Sequence, residues 1–154
     1  MMEKIFGLIA TIGVVASLLV SSWQTRELTR QTAISNGVAG VSAMYNGMER
    51  LHQIESLIAA EPWLYGHFYG GTSLPDDEHQ RVRVLVIAGM LADVVDYGLV
   101  ITEASPDIKF YAGWRDYALS LRRTSPAIVH LIEERPKWWA AVAKYWAEHP
   151  EQCV

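Results

Sequence analysis

An uncharged stretch of 19 residues, positions 5–23, limits what this chain can fold into more than any other feature. A helix of that length covers roughly 28 Å, close to the thickness of the hydrocarbon core of a bilayer. Trp23 closes the stretch and Arg26 follows it, and an indole ring is favoured at the level of the lipid headgroups. The sequence therefore predicts a transmembrane anchor over residues 1–23, with Trp23 and Arg26 at the membrane interface.

A cleaved signal peptide is the alternative interpretation of this stretch. Lys4 would then be a short basic region, and the small residues at 20–22 would form the cleavage site. The apolar run is long for a signal peptide, and no Pro or Gly interrupts the helical pattern directly after it, which favours a retained anchor. Lys4 on one side and Arg26 and Arg30 on the other nearly balance, and we expect the C-terminal part to be cytoplasmic.

Charge and cysteine content exclude several classes of function. The chain has 13 Lys and Arg against 17 Asp and Glu, a net charge of −4, whereas nucleic-acid binding requires clustered cations. Cys153 is the single cysteine, so it cannot form an intramolecular disulfide. The sequence contains neither a GxSxG motif nor a phosphate-binding glycine loop. We therefore predict no nucleic-acid partner and no cofactor, and a non-enzymatic role is favoured.

The remainder of the chain predicts an all-α fold. Apolar residues recur at steps of three and four along 24–60, and no segment alternates with the period of two that marks a strand. Pro62 ends this long helix, residues 73–78 with their early proline and three carboxylates predict the start of a second helix that runs to about 102, and Ser-Pro or Arg-Pro pairs predict helix starts at 106, 126 and 136. The N-terminal transmembrane helix thus continues into a compact bundle of about five further helices, residues 24–154.

From Val84 to Ile101 this second helix is apolar on nearly every side, which predicts the central, fully buried helix of the bundle. A second membrane span is the alternative, although Asp93 and Asp96 in its middle would each cost about 2.5–3.5 kcal/mol on insertion scales. On the preceding helix, Ala39, Ala43 and Gly47 form a flat strip at spacing four. Such a strip suits close contact with another helix, and we predict that it contacts a partner or a second copy.

Four side chains are candidates for a metal site or a proton relay. Glu49 and His52 stand at i and i+3, the spacing that di-iron bundles use, and Asp93 and Asp96 repeat it on the apolar helix. If the two helices face each other, the four could converge. The alternative is that His52 bonds a carboxylate or faces water, while the two aspartates pair with arginines, for which the candidates are Arg81, Arg83 and Arg115.

Two aromatic segments allow more than one interpretation. The rings of residues 63–69, with His67 among them, are either core or the lining of a ligand pocket. A basic and aromatic corner is formed by Arg122, Arg123, Arg135 and Lys137 with Trp138 and Trp139. These residues either contact anionic lipid headgroups or form a solvated helix end beside core tryptophans.

The order of these segments resembles a loose family of uncharacterised small bacterial single-pass membrane proteins with a helical C-terminal domain. The residues that carry the resemblance are those at 61–69, 90–96, 114–117, 125–126 and 136–139, after the single span. Trp139 stands where that pattern has Tyr. The resemblance implies no activity and no catalytic residues.

These features favour a membrane-anchored accessory, scaffold or regulatory subunit at the bacterial inner membrane that binds a protein partner or forms a homo-oligomer. A ligand sensor or metal-dependent enzyme that uses the Glu49, His52, Asp93 and Asp96 cluster is one alternative. A phage-defence or immunity component is another, and no residue distinguishes it.

Overall fold

The computed structural model describes the backbone of residues 2–104 and 112–150, and the side chains of residues 12–104 and 113–150. These residues form six α-helices and one 3-10 turn, without a strand, which confirms the all-α prediction. In chain order they are α1 (Met2–Ala60), the turn Pro62–Leu64, α2 (Tyr65–Tyr69), α3 (Glu78–Ala104), α4 (Ala112–Thr124), α5 (Pro126–Glu134) and α6 (Ala140–Glu148). The predicted helix start at 106 and Cys153 lie outside the described residues.

The chain divides into two compact units, Met1–Ala39 and Gly40–Val154. In the first unit, the described side chains from 12 to 39 are all exposed except the half-buried Glu27. The border at Ala39 concerns packing, whereas the predicted border at residues 23 and 24 concerns the bilayer. The second unit holds the hydrophobic core.

Prolines and glycines set the limits of the helices around position 62. Proline disfavours a helical conformation in the residue before it, so α1 ends at Ala60 and Pro62 opens the 3-10 turn. The short helix α2 ends at Gly70 and Gly71, and Gly71 has a φ of 72°, a conformation that a side chain rarely allows. A short aromatic helix closed by glycines therefore follows the turn at Pro62.

Helix α2 is bonded to the corner between α4 and α5. The hydroxyl of Thr124 donates to the carbonyl of Phe68 at 3.1 Å, and that of Ser125 to the carbonyl of His67 at 3.1 Å. The amide of Gly71 donates to the carbonyl of Thr124 at 2.8 Å. Ser125 also accepts from the amide of Ile128, which confirms it as the N-cap of α5.

Helix α3 lies at the centre of the core but is covered on one side only. It packs against α4, α5 and α6, yet Val82, Val86 and Met90 are 55%, 56% and 38% exposed. The prediction of burial on every side is therefore wrong, because the helices that pack on α3 are short and its apolar circumference exceeds what they cover. Among the residues that the structure describes, α3 is the one helix long and apolar enough to cross a membrane, and half of its most apolar stretch of 18 residues is buried.

The start of α6 also differs from the prediction. Pro136 does not open the helix; residues 136–139 form a turn in which the amide of Trp138 donates to the carbonyl of Arg135, and α6 begins at Ala140. No side chain of the segment itself caps this start. Contacts from α3, described below, take that role.

Two glycines on neighbouring helices make room for the indole ring of Trp114. A Cβ built on Gly98 of α3 would lie 2.3 Å from Cδ2 of Trp114, and one built on Gly47 of α1 would lie 3.3 Å from its Cζ2. The absence of a side chain at Gly98 is therefore required for α4 to pack on α3. Gly89, on the same helix, has no atom within 4 Å of such a Cβ.

We expect Gly98→Ala to lower the free energy of unfolding of the full chain by about 1–3 kcal/mol, because the methyl group overlaps the buried indole. The matched control, Gly89→Ala, should raise it by about 0.5–1 kcal/mol through helix propensity alone. Denaturant titration followed by circular dichroism in a mild detergent measures both. Equal effects of the two substitutions would contradict the packing role of Gly98.

Candidate functional site

The two aspartates of α3 hold the start of α6. The indole Nε1 of Trp139 donates to Oδ1 of Asp93 at 2.7 Å. The amides of Ala141 and Val142 donate to Oδ1 of Asp96 at 2.9 and 3.1 Å. A carboxylate at the N-terminus of a helix satisfies amides that have no partner within the helix and complements the helix dipole. These carboxylates therefore have a structural use that the sequence did not reveal.

The predicted convergence of the four candidate metal ligands does not occur. Glu49 and His52 line a shallow depression whose other lining residues also lie on α1, whereas Asp93 and Asp96 bond to the start of α6. In the searched residues, no three His, Cys, Asp or Glu side chains stand where they could share a metal ion. Each pair has the predicted i, i+3 spacing on its own helix, but the first pair lies on the surface of α1 and the second bonds to the start of α6.

The arginine partners considered for the aspartates are not used either. Arg83 pairs with Glu61, with an Nη2–Oε1 distance of 2.6 Å. None of the four ion pairs seen among the described side chains includes Asp93 or Asp96. Their hydrogen bonds to an indole and to backbone amides replace the expected ion pairs.

The strip of small residues on α1 is divided between the two units. Ala39 is exposed in the first unit, while Ala43 is half-buried and Gly47 buried in the second. Gly47 lies against the rings of Trp114 and Tyr97. At Gly47 the predicted close contact is therefore made by helices of the same chain, and this position is not available to a separate partner.

The predicted interface residues Trp23 and Arg26 are both exposed in the first unit, Trp23 at 68%. The residues of the basic and aromatic corner, at 122–123 and 135–139, have different environments in the second unit. Arg122 donates from Nη1 to the carbonyls of Trp146 and His149 at 2.7 and 3.2 Å, so it closes the C-terminal end of α6.

Trp139 belongs to the core, with 5% of its surface exposed. Its neighbour Trp138 is 67% exposed, and the guanidinium of Arg135 lies 4.8 Å from its ring centroid. The corner therefore contributes one tryptophan to the core and presents the other to the surroundings.

The aromatic segment 63–69 is both core and groove. Leu64 and Phe68 are fully buried, and His67 is buried beside them, whereas Trp63 and Tyr65 are 41% and 60% exposed. The ring of His67 meets that of Trp63 edge-on, at a centroid distance of 5.9 Å. Its Nδ1 is the one buried side-chain nitrogen or oxygen, among those described, without a hydrogen-bond partner.

The outer side of this segment forms a groove against α1. Its lining comprises Glu55, Ile58, Ala59, Pro62, Tyr65 and Tyr69, and its volume is about 640 Å³. We call it the tyrosine groove. The rings of Tyr65 and Tyr69 lie 5.2 Å apart at an angle of 42°. The sequence left a pocket near these rings open as an alternative to core packing and missed the α1 wall, for which the turn at Pro62 is the available signal.

Tyr69 is held by a hydrogen bond between its hydroxyl and that of Tyr117, at 3.0 Å. Burial raises the pKa of Tyr69, and Glu55 adds to this effect while the bond to Tyr117 opposes it. Burial, together with the bond to Tyr69, also raises the pKa of Tyr117. Both phenols are therefore neutral near pH 7, and the groove carries the charge of Glu55 alone among its lining residues.

Comparison with known proteins gives no relative: no protein-family model, curated protein or solved structure matches this chain. Function is therefore inferred from the contacts and exposed surfaces of the chain itself.

We expect Asp96→Ala to lower the free energy of unfolding by about 1–2 kcal/mol, because two amides at the start of α6 lose their acceptor. Asp96→Asn keeps an acceptor oxygen and should cost less than half of that. Thermal unfolding of the full chain, followed by circular dichroism, compares the two. If Asn were as damaging as Ala, the capping role would be wrong.

Proposed function

We propose that this protein is a membrane-anchored accessory or regulatory subunit whose helical domain binds a helix of a partner protein. Residues 1–23 form the anchor, in the bacterial inner membrane that the sequence resemblance implies, and the helical domain lies on the cytoplasmic side. Two surfaces support the proposal, one in each unit of the chain.

The anchor is supported by a continuous apolar surface in the first unit. Between residues 12 and 23, every large apolar side chain is more than half exposed: Ile12, Val14, Val15, Leu18, Leu19, Val20 and Trp23. Exposing such a surface to water is unfavourable by about 25 cal/mol for each Å². A bilayer removes that cost, and no residue of the stretch 5–23 carries a charge that would oppose insertion.

We expect Val15→Arg to move the chain out of the membrane fraction, since a charge at the bilayer centre costs about 2.5–3.5 kcal/mol on insertion scales. Ser22→Arg, near the headgroups, is the matched control and should leave the chain in the membrane. Alkaline carbonate extraction followed by immunoblotting measures both. The intact mass of the wild-type chain should remain 17.3 kDa; loss of the first 20 or so residues would instead identify a signal peptide.

The exposed face of α3 is the surface that contacts the partner in this proposal. Val82, Val86 and Met90 stand at spacing four, which places them in one row along the helix. Gly89 lies beside this row with open space above its backbone. We call these four residues the α3 ridge. α4, α5 and α6 pack on α3, yet the three apolar side chains of the ridge remain exposed, and Gly89 between them is half-buried.

A helix is the occupant that fits the α3 ridge best. Rows at spacing four pack into the grooves of another helix at interaxial distances of about 8–10 Å. Gly89 permits such an approach because it places no side chain between the two backbones. The ridge carries no charge of its own, so an apolar helix face complements it better than an acidic or basic segment.

Purification of the tagged full chain in a mild detergent, with intact-complex mass determination, tests the proposal. We expect a complex with a second, different chain, which Val86→Glu dissociates because it places a charge in the apolar contact. Val100→Glu is the matched control: Val100 is also exposed on the same helix, about 21 Å further along its axis. It should leave the complex intact.

Three outcomes would overturn partner binding through the α3 ridge. A monomer would remove the partner, and a homodimer would replace it with a second copy of this chain. A complex that survives Val86→Glu would place the contact elsewhere on the molecule.

A further inference from the structure

The tyrosine groove has an arrangement that partner binding through α3 does not use. Its walls come from the last turns of α1 and from α2, and Pro62 joins the two at its end. Ile58, which is buried, contributes to its lining, and Ala59 adds a second aliphatic surface. All of these residues belong to the second unit. A volume of about 640 Å³ lies within the usual range of small-molecule sites, roughly 300–1,000 Å³.

Charge in the groove is one-sided. Glu55 is exposed and takes part in none of the hydrogen bonds or ion pairs seen among the described side chains. Glu61, which adjoins Pro62, is already paired with Arg83 at 2.6 Å. No basic side chain lines the groove. The carboxylate of Glu55 is therefore available to a cation from outside the chain.

The two tyrosines add a surface that also attracts cations. The faces of aromatic rings carry partial negative charge, and an ammonium group within about 6 Å of a ring centroid is attracted to it. The ring of Tyr69 is held in place by the bond from its hydroxyl to that of Tyr117 at 3.0 Å. The ring of Tyr65, 60% exposed, packs beside it at 5.2 Å. The pair is thus a partly preformed platform next to the carboxylate.

We propose that the tyrosine groove binds a small organic cation, an alkylated ammonium group on a short apolar stem. The carboxylate of Glu55 and the tyrosine faces attract the charge, and Ile58 and Ala59 accept the apolar part. An anion is disfavoured by Glu55. A divalent metal ion would find only one carboxylate there, where such ions require several oxygen ligands.

Titration of the full chain with choline tests the proposal, in maltoside micelles that carry no charged headgroup. The chain is labelled at isoleucine methyl groups, and the signal of Ile58 reports the groove while that of the core residue Ile128 serves as an internal reference. We expect the Ile58 signal to shift with a dissociation constant on the order of 1 mM, since the groove is open and the ligand small. The uncharged isostere 3,3-dimethyl-1-butanol should bind at least about fivefold more weakly.

Two variants connect the binding to Glu55. Glu55→Gln should weaken choline binding at least about fivefold, because it removes the one charge that faces the ligand. Glu49→Gln is the matched control, since it removes the same charge from an exposed position on the same helix outside the groove. Its dissociation constant should stay within about twofold of the wild type. Both residues are exposed, so neither substitution should disturb the core.

The proposal is overturned if choline and its uncharged isostere shift Ile58 equally, or if Glu49→Gln weakens binding as much as Glu55→Gln. It is also overturned if Ile58 does not respond to choline. A parallel titration with glycerophosphocholine separates two sources of the same chemistry: tighter binding than choline assigns a lipid headgroup, and weaker binding a free cation. None of these measurements depends on the anchor or on a partner of α3.

Discussion

The packing of Trp114 between two glycines is the constraint on which the second unit depends. The indole reaches Gly98 on α3 and Gly47 on α1, so one side chain of α4 fixes the separation of three helices. Such an arrangement tolerates little change, because a side chain at Gly98 overlaps the ring, one at Gly47 crowds it, and a smaller residue at 114 leaves a cavity. The buried surface that the three helices share then includes Leu51 and Ile54 from α1 and Leu91 and Val95 from α3.

Both ends of α6 are bonded by side chains of other helices. Asp96 of α3 accepts from the amides at its start, and Arg122 of α4 donates to the carbonyls at its end. A nine-residue helix is marginal in isolation. Side chains from two other helices therefore satisfy what α6 does not satisfy with its own residues, and α6 forms only as part of the assembled domain.

The order and type of the elements were predictable from particular residues, whereas their surroundings were not. Pro62, the glycines at 70–71 and the Ser125 cap act locally, so they indicate helix limits without knowledge of tertiary contacts. The start of α6 was misplaced because its amides are capped by a residue more than 40 positions earlier in the chain.

The side chains of α3 and its two aspartates show the same limit. Periodicity reveals that α3 is apolar all round but not which side the other helices cover. Aspartates at i and i+3 have the same spacing whether they hold a metal ion or cap a helix. Only one wall of the tyrosine groove could be predicted from sequence, because its tyrosines lie on one short segment whereas its carboxylate lies on another helix.

The bonds between α2 and the corner of α4 and α5 have a consequence for the groove. A helix of five residues has no independent stability. The positions of Tyr65 and Tyr69 therefore depend on the hydrogen bonds that Thr124 and Ser125 donate to the carbonyls of α2. The groove and the corner therefore share one conformational equilibrium. A ligand that orders α2 stabilises the corner by the same free energy, and a change at the corner alters the affinity of the groove for that ligand. Coupling of this kind requires no domain motion, because it acts through a short helix whose stability comes from its contacts with α4 and α5.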